Sequence, residues 1–152
     1  MRSVVPFVTI LVLSVTVSPA RVFAADNNLP DLQTIDALEA RAGQAQPREQ
    51  CFLYAQLVQQ MTELSIRQYA AGDVEKATGL LKRIQHATQK IHLSLADNDK
   101  RLKNAEILLN HTAFRLNEML HSTSFEDRPL VEETLAQVTK AQNATMLQLF
   151  HK

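Results

Sequence analysis

Tyr69-Ala70-Ala71-Gly72-Asp73-Val74-Glu75-Lys76-Ala77 is the stretch on which the fold turns. A long apolar-periodic segment ends at Gly72, and a second one starts at Asp73. Glycine takes the left-handed conformation that stops a helix. Aspartate accepts hydrogen bonds from the first amides of the next helix and suits its positive end. The pair therefore reads as a stop followed by a start, a tight helical hairpin.

Working outward, the segment before the turn predicts a helix from about Arg48 to Ala71. At 100° per residue, Cys51, Leu53, Tyr54, Ala55, Leu57, Val58, Met61, Leu64 and Tyr69 spread over roughly twice the ~100° stripe of a one-sided helix. Gln56, Gln59, Gln60, Glu63 and Arg67 form a narrow polar strip. Such a helix has neighbours on several sides and belongs at the centre of a bundle. After the turn, Val74, Ala77, Leu81, Ile84, Thr88, Ile91 and Leu95 recur in steps of three and four. That is the seam of a left-handed antiparallel packing.

Further out, Pro30-Asp31 opens an Ala-rich helix with Asp31 as N-cap, and Leu32, Ile35, Leu38, Ala42 and Ala45 on its apolar stripe. Asp97-Asn98-Asp99 reads as a capping turn, since the glycine and distal glutamate of a calcium loop are missing. The next helix runs from about Lys100 to Leu120. It leaves Ile107 and Phe114 on the side away from its main stripe, with His111 between them. This set is the best candidate for an additional contact, against the first or fifth helix, a second copy or a protein partner. Asp127 caps the last helix, with Pro129 in its first turn. Three Gly and five Pro among 152 residues favour long helices. The expectation is an all-α, up-and-down bundle of four long helices plus one short N-terminal helix, a single domain over residues 30–152.

The N-terminus has the three-part layout of a secretory signal peptide. Met1-Arg2 is followed by an apolar run from Val4 to Val17, then by Ser18-Pro19-Ala20 and Val22-Phe23-Ala24, which both offer small residues where signal peptidase reads them. Cleavage is expected after Ala24, with Ala20 as the second choice, and residues 25–29 are expected to be disordered. The run is short of the ~20 residues that span a bilayer, so no stable membrane anchor is expected after cleavage. None of the 16 acids and two of the 16 bases precede Asp26, so the remainder carries a net charge of −2. That balance does not point to nucleic acid. The expected location is the periplasm or the extracellular space.

Gly72-Asp73-Val74, followed by Ala77 and then Leu81 on the same face, resembles the middle of a tetratricopeptide unit, where a Gly-Asp turn joins two helices and a small Ala lets them approach. The likeness covers about twenty residues. It stops at Ile84, where the family carries a small residue, and implies one such hairpin rather than a repeat array. The chain as a whole looks like exported helical proteins of bacteria, a likeness that carries no activity with it.

Chemistry-bearing residues are dispersed. Cys51 is the single cysteine, which excludes an intramolecular disulfide. It reads as a core residue, or else as one half of an intermolecular disulfide. His86, His92, His111, His121 and His151 show no HExxH spacing. Glu118 and His121 match the Glu-x-x-His of di-iron bundles, but no second copy accompanies them. Met61 or Met119 opposite His86 or His111 is the arrangement a haem carrier would need. Seven bases between Lys76 and Lys103 read as a solvated helix back, because no aromatic interleaves them. Neither a cofactor nor an enzymatic activity is expected. The reading is a non-enzymatic interaction or structural module of the cell envelope, with a small-ligand or haem carrier as the alternative.

Overall fold

The computed structural model describes residues 29–95 and 101–151. The expected signal peptide, most of the expected disordered stretch and the Asp97-Asn98-Asp99 turn lie outside them. Among the described residues the chain forms five α-helices: α1 (Leu32–Gln44), α2 (Pro47–Ala70), α3 (Val74–Ser94), α4 (Leu102–Ser122) and α5 (Arg128–Phe150).

Asp31 caps α1 as expected, accepting a 2.7 Å hydrogen bond from the Thr34 N–H. That bond, above all, holds the Asp31 carboxyl below the usual carboxylate range. Ile35, Leu38 and Ala42 are buried, whereas Leu32, expected on the same stripe, is 47% exposed. The short helix is stapled from outside. Arg83 on α3 bonds Asp36 at 2.7 Å and Glu39 at 2.5 Å.

The central turn forms as its sequence requires. Gly72 has φ +84°, a conformation costly for any residue with a Cβ. The Asp73 N–H donates to the Gln68 carbonyl at 2.9 Å, closing the helix end in a Schellman-type loop. Two caps differ from expectation. The Asp73 side chain bonds no backbone amide; it accepts from Lys76 Nζ at 3.3 Å instead. The Asp127 side chain also leaves the α5 amides alone and accepts from the Ser124 hydroxyl at 2.8 Å and the Tyr69 hydroxyl at 3.3 Å. In both cases the carboxylate faces a nearby side-chain donor and not the helix amides.

α2 touches α1, α3 and α4, which explains its wide apolar arc. Around the four long helices the neighbours run α2, α3, α5, α4 and back to α2. Where α2 meets α3, Ala77 is fully buried and its carbonyl accepts from the Ser65 hydroxyl at 3.1 Å. The Gln142 amide of α5 meets Glu106 of α4 at 3.3 Å, as antiparallel partners do. Across the hairpins the helices run parallel. Arg101, just before α4, sits over the Phe52 ring near the start of α2, and Tyr69 near the end of α2 accepts from the Ser124 N–H just past α4. The arrangement is thus two antiparallel hairpins laid side by side, not a ring in which every chain neighbour is also a spatial neighbour.

The core is aliphatic: Ile35, Leu57, Met61, Leu81, Ile84, Ile91, Leu109, Leu116, Val131 and Val138 are fully buried. Its threonine hydroxyls serve the helices that carry them. Thr62, Thr88, Thr112, Thr134 and Thr145 each donate to the carbonyl four residues back. A buried threonine thereby avoids the penalty of an unpaired hydroxyl.

Candidate functional site

Parallel packing of α2 and α4 brings the polar strip of α2 beside the outward side of α4. Ile107 is 53% exposed and Phe114 58% exposed; His111 between them is exposed too. At positions i, i+4 and i+7 they share one helix face. Among the described residues both apolar side chains stay about half exposed.

Two clefts run along this face. The first, about 300 Å³, lies between Phe52, Gln56, Arg101, Asn104 and Ile107. The second, about 390 Å³, lies between Gln60, Glu63, Arg67, His111 and the Leu29-Pro30 lead into α1. Gln59 lines both. Arg101 adopts φ +63°, unusual for a residue with a side chain. Its guanidinium lies 3.5 Å from the Phe52 ring centre, a cation–π contact.

The charges of the face are organised by Arg115. Its Nε and Nη2 meet the two Glu63 carboxylate oxygens at 2.9 and 3.1 Å, and its Nη1 meets Glu118 at 2.5 Å. The bonds to Glu63, then those to Glu118, push the Arg115 guanidinium further up, so it stays charged. Arg67 bonds the Pro30 carbonyl through Nη2. The buried Arg67 Nε and Gln60 Oε1 have no hydrogen-bond partner among the described residues. These polar groups hold α2, α4 and the lead into α1 in register. They form no nucleophile–base pair.

The remaining sequence-predicted residues do not converge. Gly72, Asp73 and Asp127 belong to turns at the Tyr69 end of the molecule, and Asp31 to the start of α1. Cys51 has no exposed surface, so a disulfide to a second chain would require α2 to open at its start; the thiol is placed as a core residue. His86, His121 and His151 are exposed, and Glu118 is taken by Arg115. His92 is half-buried, and burial, reinforced by Lys140, pushes its imidazole down. Met61 and Met119 are buried core residues, whereas His86 and His111 are exposed. No group of three or more His, Cys, Asp or Glu able to hold a metal occurs among the described residues. The basic back of α3 is partly neutralised, by Asp73 at Lys76 and by Asp36 and Glu39 at Arg83.

Sequence reading missed Arg115, Arg67 and Tyr69 as organising residues. Polar bonds between helices have no period, so hydrophobic spacing does not reveal them. No helix among the described residues is long and apolar enough to cross a membrane. Comparison with protein-family models, with curated proteins and with solved structures finds no match to this chain.

Proposed function

We propose that this chain is an exported, non-enzymatic interaction or structural module of the cell envelope, and that the Ile107–His111–Phe114 face of α4 is its contact surface. The observation that carries the reading is the pair of half-exposed apolar side chains, Ile107 and Phe114, on a face where Ile107 lines one cleft and His111 another. Exposed apolar groups rimmed by polar ones mark interaction surfaces. The use of polar groups supports binding over catalysis: Arg115 braces two helices, and the buried threonines satisfy their own backbone. The positive start, apolar run and small residues of segment 1–24 support export. The likeness of the Gly72-Asp73 hairpin to a tetratricopeptide unit is in keeping with an interaction role.

The double variant Ile107→Asp, Phe114→Asp tests the reading. Both positions are exposed, so the fold should survive, as a retained helical circular dichroism spectrum would show. Self-association in sedimentation, or partner recovery from envelope extracts, should be lost. Association unchanged by the two aspartates rejects this face as the contact.

A further inference from the structure

Gly79 stands in the interior of α3 without a reason that the fold supplies. Its φ is not in the left-handed region, and a Cβ built on it meets no heavy atom within 4 Å. Mid-helix glycine weakens a helix relative to alanine, so the position gives up stability for no packing gain. What it leaves is space. Gly79 lines a cleft of about 240 Å³ where α1, α2 and α3 meet. Leu32, Leu64 and Leu80 give it apolar walls; Gln68, Lys76 and Arg83 are its polar members.

We infer that this cleft binds a medium-chain aliphatic carboxylate, with its hydrocarbon over Gly79 and its carboxylate at Lys76. The volume holds roughly eight groups of the ~30 Å³ that a water occupies in the liquid, about the length of an eight-carbon chain. Leu32, half uncovered on the cleft wall, gains cover from such a chain. Of the two cations, Arg83 is engaged by Asp36 and Glu39. Lys76 is the available one: its side chain is 62% exposed, and it meets the exposed Asp73 at 3.3 Å, one helical turn away. An exposed pair of this kind is weak and yields to a competing anion. An apolar bed with one available cation at its edge is complementary to a chain ending in an anion. The cleft shares no residue with the α4 face, so this inference stands or falls apart from the proposed contact surface.

The test is titration calorimetry of the full chain with octanoate, butyrate and octanol. Octanoate should bind saturably and at least tenfold more tightly than butyrate. Gly79→Leu fills the cleft and should weaken octanoate at least tenfold while the thermal midpoint holds or rises, which separates lost binding from lost fold. Lys76→Gln should weaken octanoate several-fold and leave octanol unchanged. Absent octanoate binding, or binding indifferent to Gly79→Leu, overturns the inference. So does self-association of the wild-type chain that Gly79→Leu abolishes, because the cleft would then belong to a second copy.

Discussion

Breaking the Arg115–Glu63 pair should measure how tightly α2 and α4 are held side by side. The guanidinium meets both carboxylate oxygens, at 2.9 and 3.1 Å, and the two side chains are only 31% and 27% exposed. A fully exposed pair contributes ~0.2–1 kcal/mol, and a sheltered charge-assisted bond about 1.5–3 kcal/mol. A sheltered edge shared with Glu118 falls between, so the expected coupling is about 1 kcal/mol. Arg115→Met also leaves Glu63 and Glu118 without their common cation and should cost about 2 kcal/mol. Glu63→Gln should cost about 1 kcal/mol, and the double variant about 2 kcal/mol, because removing the second partner of a broken pair adds little. Urea unfolding followed by circular dichroism gives the four corners of the cycle. Each kcal/mol should shift the thermal midpoint by roughly 3–6 °C for a domain of this size. The coupling should shrink in ~1 M salt, since the pair is only partly sheltered. A coupling below about 0.3 kcal/mol at low salt would refute the Arg115–Glu63 pair as a brace between α2 and α4.

Other outcomes follow from single positions. The two open glycines should respond with opposite signs, since only Gly72 has a left-handed φ. Gly72→Ala should cost about 1 kcal/mol in backbone strain, while Gly79→Ala should gain about 1 kcal/mol of helix propensity. Urea midpoints of equal sign would contradict the assignment. His92 is pushed down by burial and Lys140, so the unfolded chain takes up its proton first. Its contribution is therefore complete above about pH 6.5 and is lost as pH falls through the lowered folded value. The urea midpoint should drop on acidification more steeply in the wild type than in His92→Gln, and identical slopes would exclude the effect. Cys51, fully buried, should resist a thiol reagent in the native state and react fully in urea; rapid native labelling would contradict its core placement.

Much of the fold was legible because burial has a period. The stop–start at Gly72-Asp73 and the seam Ala77, Leu81, Ile84, Thr88, Ile91 follow from spacing alone, and the helix bounds fall within about two residues of those expected. The breadth of the apolar arc on α2 already implied several neighbours. Which helices those are was not legible, because the parallel pairing of α2 with α4 rests on Arg115, Tyr69 and Arg101, residues far from their partners in sequence. Capping was legible where one acceptor faced one amide, at Asp31, and not at Asp127, where Tyr69 arrives from another helix to compete. The exposed pair Ile107 and Phe114 was legible as a leftover from the main stripe. The clefts beside it were not, since they form only when α2 and α4 are brought together.

Site-specific photocrosslinking in intact cells tests the proposed contact surface most directly. A photoreactive phenylalanine analogue in place of Phe114 should trap a discrete protein product, a second copy or one defined partner. The same analogue in place of the exposed Glu132 on α5 should trap none. Equal products from both positions, or none from position 114, would contradict an interaction surface on this face of α4.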